Sequence, residues 1–208
     1  SIKLSSETKI EKNITNSGRL VARSHGQHKW NIKITYNPMT REEFEPVYNF
    51  LLHRQFSLKP FFVSLPHLRN PQDSTFVSYL DGGASVTISG DADSGSSSLM
   101  LNGFSSSASM PKPGDLFTIT DTSSISHLKA YQIVQTQTNS TYDGTQPGTT
   151  QRKIEFIPPL TKDVDASAST INFQQPLIRV IMTKDIQEYA LNTEGLYSFS
   201  LTLDEAQP

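Results

Sequence analysis

Two runs of strict period-two alternation, one near each end of the chain, constrain the fold more than any other feature. Lys29 to Tyr36 puts Trp30, Ile32, Ile34 and Tyr36 on one side and Asn31, Lys33 and Thr35 on the other. Tyr197, Phe199, Leu201 and Leu203 alternate in the same way with Ser198, Ser200 and Thr202. Successive side chains of a strand point to opposite faces, so this pattern, written in aromatic and β-branched residues, is that of half-buried strands. Strong strands at both ends predict one sheet system shared by the two ends. Arg19 to Arg23 is expected to be the hairpin partner of Lys29 to Tyr36, across a turn at Ser24-His25-Gly26-Gln27.

One segment breaks the β pattern. Thr40-Arg41-Glu42-Glu43 has the form of a capping box, and Phe44, Val47, Tyr48, Leu51 and Leu52 follow at helical spacing. This predicts a helix over about 41–54, bent or delayed by Pro46, and no other convincing helix. Lys59 to Pro66, containing Phe61 and Phe62, reads as a short apolar strand between prolines. From about 68 the composition turns to Ser, Gly, Asp and Pro. Short strands are expected at 85–89, 98–101, 116–119, 130–134 and 153–157, with a Gly/Thr-rich loop at 139–151. Strands at this spacing with turn residues between them indicate a small barrel or sandwich. The expected architecture is mainly β: an antiparallel sandwich or barrel with one short helix, formed by 1–69 and 173–208, and an inserted barrel-like module at 70–172.

Composition then narrows function. The 208 residues contain no cysteine, which removes disulfides, thiolate zinc sites and cysteine nucleophiles together. The 18 basic and 20 acidic residues are interspersed at a net charge of −2, without the basic stripe of a duplex-DNA reader. No apolar run reaches the roughly 20 residues that span a bilayer, and Ser-Ile-Lys-Leu-Ser-Ser-Glu-Thr at the start lacks the apolar core of a signal peptide.

Candidate chemistry fails on named residues. His25 and His28 stand three apart in a polar turn with no acidic third ligand, His53 closes the helix where the dipole favours a cation, and His127 reads as structural or as an interface residue. Asp91-Ala92-Asp93-Ser94-Gly95 opens like a calcium loop, but its sixth position is Ser96 and its twelfth Asn102. No nucleophile elbow, phosphate loop or dinucleotide fingerprint occurs. The single tryptophan, Trp30, fits a core anchor better than a glycan cleft. No catalytic residue, cofactor or metal is expected. The residues expected to build core or interface are Trp30, Tyr36, Phe44, Tyr48, Phe61, Phe62, Tyr197 and Phe199.

Two stretches resemble tail-tip proteins of tailed bacteriophages. Ser17-Gly18-Arg19, Lys29-Trp30-Asn31-Ile32, Tyr36, Thr40, the helix through Phe50, and Phe61 to Pro66 are similar to the N-terminal part of distal-tail and tube-like hub subunits. Pro113-Gly114-Asp115-Leu116-Phe117-Thr118-Ile119, His127, Ala130 to Val134 and Ile157-Pro158-Pro159-Leu160 resemble a β module of many tail structural proteins. The resemblance implies a virion protein made in the host cytoplasm and assembled as a hexameric ring. That ring would surround the DNA channel, with other tail-tube and baseplate proteins as partners, no sequence-specific nucleic-acid binding and no membrane. The alternative function is a carbohydrate- or receptor-binding β module. It predicts clustered exposed aromatics, and the seven tyrosines are scattered along the sequence.

Overall fold

The structure is a computed structural model, which describes residues 1–24, 28–105, 109–121, 127, 129–137, 150–184 and 188–206. Among the described residues the architecture is mainly β, with antiparallel sheets and two α-helices. The chain divides into an end unit, Ser1–Phe62 with Arg179–Ala206, and an inner unit beginning at Val63 and running to Ile178. These boundaries lie a few residues outside those read from composition, because the composition shift begins after the short strand that follows the helix.

The end unit is organised around the two alternating runs. β1 (Ile2–Glu7) pairs antiparallel with β4 (Lys29–Thr35), and β4 pairs antiparallel with the C-terminal strand β14 (Tyr197–Glu205). Trp30 and Ile32 of β4 and Phe199, Leu201 and Leu203 of β14 are buried on the inward face. The sheet continues from β14 through β12 (Leu177–Met182) to β5 (Phe61–Ser64), while β13 (Tyr189–Leu191) pairs with the first part of β14. The division between the units passes within β5 and β12.

The hairpin expected between 19–23 and 29–36 does not form. Instead β2 (Ile10–Ile14) pairs with β3 (Leu20–Ser24) across a tight turn. Asn16-Ser17-Gly18 is a stronger turn signal than the 24–27 segment, of which residues 25–27 lie outside the described residues. Gly18 takes φ 79°, a left-handed conformation glycine adopts without steric cost, and its N–H reaches the Thr15 carbonyl at 2.8 Å.

Helix α1 (Arg41–His53) forms where the sequence places it, and the Glu43 carboxylate accepts both the backbone N–H and the hydroxyl of Thr40, at 3.0 and 3.2 Å. It continues through Pro46. Phe44 and Leu51 are buried, Val47 and Tyr48 half-buried, and Leu52 is turned outward. The helix closes without glycine: Gln55 and Phe56 both take positive φ, and the Phe56 N–H returns to the Leu51 carbonyl.

The inner unit holds a helix that was not expected, α2 (Ser74–Asp81), opened by Asp73, whose Oδ1 accepts from the N–H groups of Thr75 and Phe76. Six strands then form a nearly closed, barrel-like sheet in the order β11-β8-β9-β10-β7-β6. They are β6 (Thr87–Ile88), β7 (Ser98–Asn102), β8 (Leu116–Asp121), β9 (Ala130–Gln137), β10 (Gln151–Ile157) and β11 (Ser169–Asn172). Of the Gly/Thr-rich loop, residues 139–149 lie outside the described residues. One contiguous core fills the barrel, built on Phe76, Phe104, Phe117, Tyr131, Ile154 and Phe156. The Pro113-Gly114-Asp115 turn has a clear physical role. Buried Asp115 accepts from the N–H groups of Gln72 (2.9 Å) and Lys112 (2.8 Å), so its carboxylate ties the entry to β8 to the segment before α2.

Candidate functional site

The eight aromatic residues singled out by sequence separate into three groups. Five meet in the end unit: Phe44 lies 4.6 Å from Tyr197, 5.3 Å from Tyr48 and 5.7 Å from Phe199 between ring centroids, and Tyr36 stacks on Phe199 at 5.8 Å. Tyr189 of β13 joins them, 5.0 Å from Phe44. Four of the seven tyrosines are therefore gathered in one place, although they are scattered in sequence, because β13, β14 and α1 come from both chain ends. Phe61 is buried edge-on against Phe50, and Phe62, one residue further along β5, faces outward at 50% exposure. Trp30 stands apart.

Around Trp30 the structure assembles a polar group that sequence reasoning missed. His28 is buried, not solvated: its Nε2 is 2.8 Å from the Ser6 hydroxyl, and its ring meets Trp30 edge-on at 4.5 Å. The backbone N–H of Trp30 donates to Oε2 of Glu205 at 3.1 Å, and Glu205 is buried. Both residues were within reach of the alternation, since one further step of two back from Trp30 is His28 and one beyond Leu203 is Glu205. Their polarity concealed that they continue the inward face. On the same sheet, burial raises the Asp204 carboxyl above its ordinary range, opposed by the charge of Lys29 and reinforced by that of Glu7.

The inner unit has its own polar group. His127 is buried with Nδ1 3.0 Å from the Tyr131 hydroxyl, which is itself 3.3 Å from the Thr161 hydroxyl. Burial lowers the His127 pKa from its ordinary value, a backbone hydrogen bond at Asp163 opposes this, Lys162 adds to it and Asp121 opposes it. His127 Nδ1, the Tyr131 hydroxyl and the Thr161 hydroxyl thus form one hydrogen-bonded chain inside packed β structure. His53 is exposed in the last turn of α1, and His25 lies outside the described residues. Where β6 and β11 leave the barrel incompletely closed, a cavity of about 180 Å³ opens between Val86, Ile171 and Phe173. It is smaller than the roughly 300–1,000 Å³ of most small-molecule sites. Among the described residues no group of three or more His, Asp or Glu is placed to hold a metal ion.

The feature least explained by packing is the β2–β3 ribbon. Every residue of β2 is exposed. Register places Ile10, Lys12 and Ile14 on one face with Leu20 and Ala22, and Glu11, Asn13, Val21 and Arg23 on the other. Ile10, Ile14 and Leu20 are 53%, 67% and 60% exposed, so one face carries an apolar strip in water. Fully burying one such side chain is worth about 1.5–3 kcal/mol, and a two-stranded ribbon standing alone is marginal. Among the described residues β2 and β3 pair only with each other, so both outer strand edges lack ladder pairing as well. An apolar face flanked by two open edges is suited to docking against another surface.

No family model matches the chain, and no curated protein matches it.

Proposed function

We propose that the chain is a structural subunit of a bacteriophage tail tip, a distal-tail or baseplate ring component that joins tail tube to tip around the DNA channel. The observation that carries this reading is the uncovered β2–β3 arm. A ring repeats one heterologous contact by rotation, and each contact needs a projecting element on one side and a receiving surface on the other. A stable contact of this kind buries about 1,600 Å² in total, and an apolar ribbon with free edges contributes to that by packing and by strand pairing at once. The order of motifs in the end unit and of the Gly-Asp turn in the inner unit supports placing the ring in a phage tail.

A carbohydrate- or receptor-binding module is the second reading, and the gathered tyrosines bear on it. Tyr48 and Tyr197 stack on Phe44, Tyr36 stacks on Phe199, Tyr189 meets Tyr48 edge-on, and only Tyr189, at 49%, is substantially exposed. That arrangement serves packing under α1 better than a sugar platform.

Size-exclusion chromatography with light scattering, followed by electron microscopy of the chain alone and beside tail-tube proteins, tests the proposal. A closed ring is expected. A chain that stays monomeric at high concentration and forms no ring beside those proteins overturns it.

A further inference from the structure

We propose that the β2–β3 arm of one copy docks on the acidic, outward side of the inner-unit barrel of a second copy. This rests on the ring-subunit reading and names the surface that receives the arm. The arm is basic as well as apolar: residues 8–24 hold Lys9, Lys12, Arg19 and Arg23 against Glu11 alone, a net charge of +3. Lys12 lies in the middle of the apolar face, opposite Ala22 and between Ile10 and Ile14. Whatever covers that face must therefore offer apolar contact and negative charge together.

The inner unit is the complementary half of the chain. Residues 63–178 contain ten acidic and six basic residues, a net charge of −4, whereas the end unit is net positive. Part of this charge is concentrated on one short ribbon. Ala92 bridges Val164, and Val164 is buried in the barrel core. Alternation then turns the flanking Asp91, Asp93, Asp163 and Asp165 outward, and all four are exposed. Three are fixed by backbone donors: Asp91 accepts from the Ala166 N–H at 2.9 Å, Asp163 from the Ser94 N–H at 2.8 Å, and Asp165 from the Ser167 N–H at 2.8 Å. The ribbon adjoins the end of β10 through hydrogen bonds from Phe156 to Ser97 and from Leu160 to Ser96, and Ile157 is there 47% exposed. Carboxylates held in place on a ribbon that is hydrogen-bonded to the end of β10, where Ile157 is exposed, offer what the arm requires. A second copy supplies this surface at the stoichiometry of a closed ring.

The cysteine-free chain makes the contact directly testable by cross-linking. Ala22→Cys full-length chain and Ser94→Cys full-length chain are prepared separately, mixed and mildly oxidised. A disulfide between the two different chains, favoured over either homodimer and suppressed by high salt, is expected. In parallel, Asp93→Lys with Asp163→Lys should weaken self-association at least tenfold in sedimentation, and adding Lys12→Glu with Arg19→Glu should restore most of it. Unchanged amide-exchange protection of β9 and β10 controls for folding of the inner unit, and unchanged Trp30 emission for that of the end unit. If the native chain assembles but the mixed disulfide does not form, or the barrel substitutions leave assembly unaltered, the docking proposal is overturned and the ring reading stands. Dominant Ala22→Cys homodimers would show arms meeting arms, which also overturns it. A native chain that never assembles removes the ring reading, and the docking proposal with it.

Discussion

The two units cover apolar surface in opposite ways. The inner unit folds a continuous stretch of chain into a nearly closed barrel, and its aromatic residues Phe76, Phe104, Phe117, Tyr131 and Phe156 are all buried in one core. The end unit takes its strands from both termini, and its aromatic cluster is half-open, with Tyr36, Tyr48 and Tyr197 partly exposed. It also extends the β2–β3 arm with no core beneath it. A closed sheet removes its own edges, whereas an open one leaves edges and faces for a neighbour. Closed, buried packing is concentrated in the inner unit, and exposed apolar surface with open strand edges in the arm of the end unit.

The largest effects should come from the two cores, and they test whether the units are separate. Phe117→Ala should cost about 3–5 kcal/mol, since it leaves a cavity among Tyr131, Phe156 and Phe173. Trp30 is the only tryptophan and belongs to the end unit, so its fluorescence reports that unit alone. In denaturant, Phe117→Ala should lower protection from amide exchange in β9 and β10 while the Trp30 transition holds its midpoint. Phe44→Ala, of similar cost, should do the reverse. If both probes shift together in both variants, the chain is one cooperative block and the contrast is lost.

A smaller effect of about 2 kcal/mol is expected at Gly103, where the barrel wall approaches itself. Its φ is 99°, and a Cβ there would stand 2.4 Å from the Ser85 carbonyl oxygen, which is backbone and cannot simply swing aside. Gly103→Ala combines left-handed strain with that clash. The loss should appear in amide exchange of the inner unit and not in Trp30 emission. By contrast Gly18→Ala at the arm tip, where no atom lies within 4 Å, meets only the strain of φ 79°.

Acid should separate the units again, through one group. The folded state lowers the His127 pKa, chiefly by burial, so the unfolded chain binds a proton first as pH falls. The stability His127 lends is complete above its unfolded pKa of about 6.5, and it declines as pH drops below that value towards the depressed folded pKa. Carboxylates such as Asp73 and Asp165, both held low, act only near and below about pH 4. Amide-exchange protection of the inner unit should therefore weaken first in the mildly acid range, and His127→Asn should flatten that limb. An unchanged pH dependence in the variant would assign it to another group.

How much of this was legible follows from whether the cause is local. The alternation of β4 and β14, the capped helix α1 and the Gly-Asp turn before β8 are local patterns, and each appears where the residues predict it. α2 was hidden because Thr75, Val77 and Tyr79 read as β formers within a Ser- and Gly-rich stretch; the signal was Asp73 as N-cap with Phe76 and Leu80 four apart. Pairing partners are set by contacts far apart in sequence. The pairing of β1 with β4 and the meeting of Tyr189 with Phe44 therefore had no local signature, whereas the β2–β3 hairpin carried one in Asn16-Ser17-Gly18. Buried His28 and Glu205 were obscured by the ordinary rule that polar residues lie outside, although period two continued through both.

The smallest effect on folding is the most informative about assembly. Ile14→Thr with Leu20→Thr puts a β-branched residue at both positions but removes most of the apolar strip from the arm. Because both side chains are already more than half exposed in the single chain, their loss should change unfolding stability by less than about 0.5 kcal/mol. The Trp30 transition should be unchanged, since the arm has no core beneath it. If the arm is the projecting half of a ring contact, the same pair should greatly reduce the oligomer fraction in light scattering. A substitution that costs several kcal/mol in folding would mean that the strip is packed within the monomer, and the contrast between a self-contained inner unit and an assembling end unit would fail at its most exposed point.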